Sequence, residues 1–318
     1  MTSTIILPVM PTELMDKYNE AVAKKKAIKS IKMKANMNYN INAWFKDTPD
    51  ERRMVRTLDG RVRAFLSSKY RPLDNFDVAS AVLPMLVERQ VQITSCELTE
   101  TRMYIKGILP TLSDELPPGL VYGRGHDHLG KEGRLVAAIV VSNSDVGAGA
   151  LRVEPSVFTT WCTNLAILGQ SAMRKYHVGR SLDTGDDLEV YRDETRQADD
   201  NAFFMKVRDV AAAAFAEDKF RTAIEQIRTQ GVRPIVSTNL PKVVEVATRR
   251  LALPESMQND VLTFLARGGD LTAWGLSSAI TEAANTAKDY EQATMLEHTG
   301  GQVLAMSDTE WSAIAEAK

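Results

Sequence analysis

The chain has 318 residues, of which 44% are hydrophobic and 25% are charged, and its formal net charge is −2. This length and composition allow one large hydrophobic core or two smaller ones. No stretch reaches the ~18 apolar residues that a membrane span needs, and the apolar run within residues 1–10 lacks the basic segment of a signal peptide. Two cysteines do not make a disulfide framework. We therefore expect an intracellular, cytoplasmic protein without a membrane partner.

The small net charge hides a strong asymmetry along the chain. Residues 1–71 hold fifteen Lys and Arg against seven Asp and Glu, a net charge of +8, so residues 72–318 carry −10. Such a dipole attracts phosphates at one end and repels them at the other. Aromatic residues are interleaved with these cations, as in proteins that bind single-stranded nucleic acid. They are Tyr39, Trp44, Phe45, Phe65 and Tyr70.

A helical pattern that begins near Thr12 is followed by a predicted strand over residues 31–41. Apolar residues alternate there with Lys32, Lys34 and a series of asparagines, and this period of two predicts a strand with one buried face. The polar face holds ammonium and amide groups with no carboxylate, which suits a polyanion. Lysines on an edge strand can equally serve to block aggregation.

The next part of the chain predicts an antiparallel sheet with one helix. Asp59-Gly60 ends a charged segment from Asp47 and indicates a hairpin turn between the region of Trp44 and Phe45 and residues 62–66. The continuous apolar run at residues 135–141 indicates a buried central strand. The remaining predicted elements are a helix from residues 74–77 that contains Pro84, strands at 91–98 and 102–109, a loop at 110–133, a strand at 150–153 and a helix from Pro155.

From Glu194 to Glu316 the pattern is helical, and residues 211–227 read as part of one long helix. Strands first and helices afterwards predict an α+β fold, an antiparallel sheet backed by helices and followed by a mainly helical C-terminal region. We expect an α+β domain at residues 1–183 and a helical region at residues 184–318.

No constellation of catalytic residues stands out. His126 and His128 form a histidine cluster, but zinc needs three or four ligands and no third His is near. The acidic pairs at 186–187 and 199–200 lie in a polar segment with turn character, and the glycines at 147–149 predict a tight turn rather than a phosphate loop. We therefore expect that the protein is not an enzyme and binds neither a cofactor nor a metal. A metal-dependent nuclease is the less favoured alternative.

Three stretches of the chain together resemble a known family. They are residues 63–75 (RAFLSSKYRPLDN), residues 142–164 (SNSDVG, LRV and CTN in order) and residues 274–301 (WGL, AIT, LE and GG in order). In this order they resemble the phage- and plasmid-like proteins grouped as domain-of-unknown-function family nine-three-two, which includes the YafZ-like proteins. The resemblance spans about Val62 to Leu304, with Leu165 where the family often has Gly. It implies a mobile element of a bacterial host cell and no settled activity.

A more remote similarity, in the order of elements, is to the phage single-strand annealing proteins and the eukaryotic Rad-type annealing mediator. In those proteins an antiparallel sheet backed by a helix builds rings, and a basic groove holds single-stranded DNA. The similarity implies a DNA-annealing protein of recombination that acts as a homo-oligomer without turnover, with a host single-strand-binding or repair protein as a further partner. The expected DNA contacts are Lys32, Lys34, Arg61, Arg63, Lys69, Arg71 and Arg152, with Tyr70 as the stacking residue.

The alternative function is a protein–protein interaction module of a mobile element that binds a host defence or repair protein through the acidic residues 194–318. Residues 67–75 also allow a structural interpretation, in which Asp74 caps the following helix and Tyr70 belongs to the core. Salt-sensitive DNA binding in the absence of a protein partner distinguishes the two functions.

Overall fold

The structure is a computed structural model. It describes residues 29–34, 52–58, 61–67, 70, 73–118, 120, 134–159, 165–166, 173–175 and 193–317. Several predictions concern other residues and therefore lie outside the described part of the chain. They are the helix near Thr12, residues 35–41, Lys69, Arg71, the loop that holds His126 and His128, and the acidic pair at 186–187.

A small antiparallel sheet is formed by three strands, β1 (Lys29–Lys34), β2 (Arg52–Leu58) and β3 (Arg61–Ser67), in the order β1-β2-β3. Leu58 pairs with Arg61 across the β2–β3 connection, which confirms a hairpin at the predicted place, with β2 as the strand before it. The charged segment before the turn contains a strand that the sequence did not predict, because Arg52, Arg53 and Arg56 interrupt its apolar pattern.

A large antiparallel sheet follows in the order β4-β5-β6-β7-β8, with β9 pairing with β7 as well. Its strands are β4 (Gln92–Leu98), β5 (Met103–Glu115), β6 (Arg134–Asn143), β7 (Leu151–Thr159), β8 (Leu165–Ala166) and β9 (Met173–Lys175). The predicted hairpin of residues 91–109 and the buried central strand, β6, are both confirmed. The loop predicted from residue 110 begins later, because β5 resumes its pairing with β6 at Ser113 after a register shift.

Pro155 lies inside β7, opposite Ile139, and the prediction that it opens a helix is wrong. β9 pairs with Leu151–Val153 and β8 pairs with Val157 and Phe158. Pro155 therefore lies between the two partners of β7. A proline is tolerated there because its missing N–H removes no hydrogen bond to either short strand.

The helices of the described residues are α1 (Asn75–Glu88), α2 (Asp193–Ala213), α3 (Glu217–Gln230), α4 (Leu240–Arg250), α5 (Gln258–Gly268), α6 (Ala273–Ala283), α7 (Tyr290–Ala305) and α8 (Asp308–Ala315). They confirm the α+β fold and the helical C-terminal region. The long helix expected around residues 211–227 is two helices, α2 and α3, separated at residues 214–216. Within the described ranges, no helix combines the length and the apolar character that crossing a membrane requires.

The two faces of the large sheet have different surroundings. One face contributes Ile105, Ile139 and Val153 to a hydrophobic core that includes α1 and the C-terminal helices. The other face carries a small apolar cluster around Ala138 and Val140 and, beside it, polar side chains that contact α7. The large sheet and the helical region are therefore joined by apolar packing on one face and by polar contacts on the other. The expected domain boundary near residue 183 falls outside the described residues.

Candidate nucleic-acid interface

The register of the small sheet brings five basic residues to one face. In β2 the positions 52, 54, 56 and 58 share a face because side chains alternate along a strand. Their partners on β1 and β3 include Lys34, Lys32 and Arg61. We call Lys32, Lys34, Arg52, Arg56 and Arg61 the cationic face. Three of the eight expected DNA contacts thus belong to one surface.

The cationic face contains cations in directly paired positions. Lys34 pairs with Arg52 across the β1–β2 ladder, and like charges placed directly opposite one another destabilise a sheet. The three strands contain no Asp or Glu. Arg56 is buried, and a carboxylate from outside the sheet compensates its charge: its Nη2 lies 2.5 Å from Asp74 Oδ1.

The opposite face of the small sheet is largely apolar. Ile31, Val55 and Phe65 form one row across its three strands, and Val62 pairs with Thr57 on the same face. Val55 is buried, whereas Phe65 is 37% exposed and Val62 is 51% exposed. This face also carries Lys29 and Arg53, so it combines two cations with an apolar row that is only partly covered.

Arg63 lies at the irregularity in the β2–β3 pairing and takes part in an ion pair. Its Nη2 is 2.9 Å from Glu100 Oε2 and also donates a hydrogen bond to the Glu100 carbonyl oxygen. Glu100 belongs to the turn between β4 and β5. Arg63 thus connects the small sheet to the large one, and a phosphate would have to compete with Glu100 for it.

Tyr70 contacts the β6–β7 turn. Its hydroxyl donates a hydrogen bond of 3.3 Å to the carbonyl oxygen of Ser144. Burial raises the pKa of Tyr70 well above the usual value, and Arg56 counteracts this only in part, so the phenol is neutral at physiological pH. These contacts favour the structural interpretation of Tyr70 over a stacking role.

The β6–β7 turn joins two of the stretches on which the family resemblance rests. Asn143 donates hydrogen bonds of 2.8 Å to the Leu73 carbonyl oxygen and 2.9 Å to Asn75 Oδ1. Gly147 has a φ of +79°, and a Cβ there would lie 2.6 Å from Leu66 Cδ2. The turn predicted from the glycines is confirmed, and Leu66, Tyr70, Leu73 and Asn75 contact it or the end of β6.

Asp74 is the N-cap residue of α1, but its side chain makes no capping hydrogen bond. Its carboxylate binds Arg56 instead. Asp145 in the β6–β7 turn is a second carboxyl group near Arg56, and burial raises its pKa while Arg56 opposes this. The expected cap is therefore an ion-pair partner that connects α1 to the small sheet.

Arg152 lies near the start of β7, after the β6–β7 turn, and its side chain is on a different surface from the cationic face. It lines a cleft of about 480 Å³ between the large sheet and α7, together with Arg102, Tyr104, Glu154 and His298. The structure therefore does not group Arg152 with Lys32, Lys34 and Arg61.

The same face of the large sheet carries an ion pair that the sequence analysis missed. Lys106 on β5 binds Glu297 on α7, with 2.6 Å between Nζ and Oε1, and both side chains are buried. Burial raises the pKa of Glu297, and the nearby Lys106 ammonium opposes this. A lysine inside the apolar segment RMYIKGIL was the available signal, but its partner lies 191 residues further along the chain.

The described residues offer little to a metal. Among them, no three His, Cys, Asp or Glu side chains lie close enough together to hold an ion. Asp199 and Asp200 belong to α2, so the prediction of a turn there is wrong.

Comparison with protein-family models, with curated proteins and with solved structures finds no match to this chain. The resemblance to family nine-three-two thus stays a prediction.

Proposed function

We propose that this protein binds single-stranded DNA through the cationic face of its small sheet and anneals DNA strands as a homo-oligomer without catalytic turnover. The observation that carries the proposal is the cationic face itself, which collects Lys32, Lys34, Arg52, Arg56 and Arg61 by strand register. A polyanion is the partner that relieves this concentration of like charge.

The cations other than Arg56 are the ones that we propose to bind phosphate. Arg56 is paired with Asp74 and buried, so it contributes to the fold. Lys34 and Arg52 are direct neighbours across the ladder, where Cβ atoms are about 5 Å apart. A phosphate that binds both converts a repulsive pair into an attractive site and releases condensed counterions from the nucleic acid.

The apolar face supports the oligomeric part of the proposal. Phe65 and Val62 are large apolar residues exposed on a sheet whose other face is charged. Exposed apolar surface of this kind is typical of contacts between proteins. A second copy of the chain is the partner we propose for it, so that cationic faces of neighbouring copies would follow one DNA strand.

The test is fluorescence anisotropy of a labelled oligo-dT at low and at moderate salt, with the mass of the complex measured by light scattering. Wild-type protein should bind and should lose affinity steeply as salt rises. The Lys32→Glu/Lys34→Glu variant should lower the slope of log affinity against log salt by about 1.4, since each phosphate contact to a single strand contributes about 0.7.

The matched control is Lys206→Glu/Lys219→Glu. It makes the same change in net charge at two exposed lysines, on α2 and α3, and should leave oligo-dT binding unchanged apart from a small long-range effect. An equal loss of affinity in both variants would show that net charge alone controls binding, and this would contradict the proposed interface. A wild-type protein that fails to bind at low salt would favour the interaction-module alternative, which a pull-down from host lysate then examines.

A further inference from the structure

The cleft between the large sheet and α7 is built from a row of paired residues. Tyr104 on β5 pairs with Ser142 on β6, and Ser142 pairs with Arg152 on β7. Because neighbouring strands are about 4.8 Å apart, the backbones of Tyr104 and Arg152 are roughly 10 Å apart on the same sheet face. This row forms the floor of the cleft of about 480 Å³.

The walls of the cleft are partly polar and partly apolar. Helix α7 contributes Glu291, Thr294 and His298, and the segment after α4 contributes Leu251 and Ala252. The volume lies within the range of about 300–1,000 Å³ that small-molecule sites occupy.

The acidic groups of the cleft already have partners. Glu154 is 3% exposed, and its Oε2 lies 3.1 Å from His298 Nε2. Glu291 Oε1 lies 3.2 Å from Arg102 Nη2 at the rim. Both carboxylates thus lie beside a basic side chain, although Glu154 Oε2 and His298 Nε2 make no hydrogen bond of good geometry with each other.

Several hydrogen-bond donor atoms of the cleft, in contrast, lack an acceptor among the described residues. The Tyr104 hydroxyl is buried and makes no hydrogen bond of acceptable geometry to the described residues, although the Arg102 guanidinium is close. The Nε of Arg102 is also buried and makes no hydrogen bond to the described residues. Arg152 is one-third exposed, and its nearest carboxylate oxygen, on Glu154, is 4.0 Å away. Buried donors without acceptors are costly and uncommon in proteins.

We propose that this cleft binds a small ligand through an oxyanion, a phosphate or a carboxylate group, held by Arg152 and the Tyr104 hydroxyl. The ligand supplies an acceptor to the Tyr104 hydroxyl and to the Arg152 guanidinium, and a guanidinium beside a hydroxyl suits an oxyanion in charge and geometry. The apolar wall of Leu251 and Met295 would contact the remainder of the ligand. This inference does not depend on DNA binding by the small sheet.

The experiment is isothermal titration calorimetry of the full chain with three probes of similar shape, phenyl phosphate, benzoate and benzyl alcohol. One or both anions should bind, the uncharged alcohol should not, and the comparison of the two anions identifies the oxyanion. Tyr104→Phe and Arg152→Gln should each weaken binding of the preferred anion by about tenfold, as expected for a hydrogen bond to a charged group.

The two cleft variants differ in their expected effect on the stability of the fold. Tyr104→Phe keeps the ring that packs on Tyr290 at 5.0 Å between centroids and removes only the buried hydroxyl, so its melting temperature should not fall. Arg228→Gln is the control, because Arg228 is exposed on α3 and outside the cleft. Absence of binding by both anions, equal binding of the alcohol, or anion binding unchanged in both cleft variants would overturn the proposal.

Discussion

At the scale of single residues, Lys106 and Glu297 form a buried ion pair, and removal of one partner alone destabilises the fold. Each residue is 7% exposed, and Lys106 Nζ lies 2.6 and 2.7 Å from the two carboxylate oxygens. The ammonium also lies 4.7 Å from the centre of the Tyr290 ring. Desolvation offsets much of the attraction within a buried pair, so the pair adds little net stability, but a lone buried charge is expensive.

We therefore predict that Lys106→Met lowers the free energy of unfolding by about 3–5 kcal/mol at neutral pH, because Glu297 is left as an uncompensated buried charge. The Lys106→Met/Glu297→Leu double variant should recover most of this loss. Urea unfolding followed by circular dichroism measures both. A single variant as stable as the wild type, or a double variant no better than the single, would contradict the prediction.

The pH dependence of Lys106→Met follows from the raised pKa of Glu297. Burial raises this pKa above its ordinary value of 4.5, and loss of the Lys106 ammonium raises it further. An acid whose pKa is higher in the folded state costs stability above that pKa, and the cost vanishes once the pH falls below the unfolded value. Lys106→Met should therefore be less destabilising at about pH 5 than at about pH 8, as urea unfolding at the two pH values would show.

At the scale of elements, α6 and α7 approach closely through small residues. Ser277 Oγ donates a hydrogen bond of 2.8 Å to the Gly300 carbonyl oxygen. A Cβ on Gly300 would clash with Thr281 Cγ2 and lie 3.1 Å from the Ser277 carbonyl oxygen. Both helices belong to the third stretch of the family resemblance, so its small residues have a packing role here.

We predict that Gly300→Ala destabilises the protein despite the higher helix propensity of alanine. Overpacking a close contact costs about 1–3 kcal/mol, whereas the propensity gain is about 1 kcal/mol at most. Thr281→Ser removes the clashing methyl group and keeps the hydrogen bond to the Ser278 carbonyl oxygen, so the double variant should melt above Gly300→Ala. Thermal unfolding by circular dichroism provides the comparison, and a single variant that melts at or above the wild-type temperature would count against this packing.

Element types were predictable from the sequence where one local signal dominated. The apolar run of β6 and the Asp59-Gly60 turn are such cases. Pro155 misled the prediction because a proline before an amphipathic segment fits a helix start as well as a gap between two short strands. Strand β2 was missed because Arg52, Arg53 and Arg56 interrupt the alternation of apolar and polar residues that predicts a strand.

At the scale of the whole molecule, α7 connects the helical region to the large sheet along much of its length. Tyr290 contacts Ser95, Glu297 binds Lys106, and His298 Nε2 lies near Glu154. These contacts extend from the first to the third turn of the helix and reach three strands. The helical region and the large sheet thus share their buried polar groups.

We predict that the large sheet and the helical region unfold in one cooperative transition. Separation of the two would expose the apolar core that the sheet shares with the C-terminal helices, including Ile105, Ile139 and Val153, and exposure of apolar surface to water is unfavourable. Native-state hydrogen exchange in increasing urea should show amides of β5 and β6 losing protection together with those of α6 and α7. Protected helices after loss of sheet protection would instead indicate two independent domains, divided near residue 183.

The candidate sites differ in how far the sequence could predict them. Lys32, Lys34 and Arg61 were found because charge asymmetry is visible in composition, although their common face required the strand register. The cleft was not predicted. Its polar residues, Tyr104, Glu154 and His298 among them, are spread over β5, β7 and α7, and residues so distant in sequence leave no local pattern when they meet.

The β6–β7 turn has a consequence for engineering of the chain. Turns between strands ordinarily accept inserted residues, such as an epitope tag, because little packs on them. Here Ser144 Oγ donates to the Thr101 carbonyl oxygen at 2.7 Å, and Arg102 Nη2 donates to the Ala148 carbonyl oxygen at 2.6 Å. A tag placed between residues 144 and 149 would therefore disrupt the contacts of this turn with the β4–β5 hairpin, with Leu66 and with Tyr70.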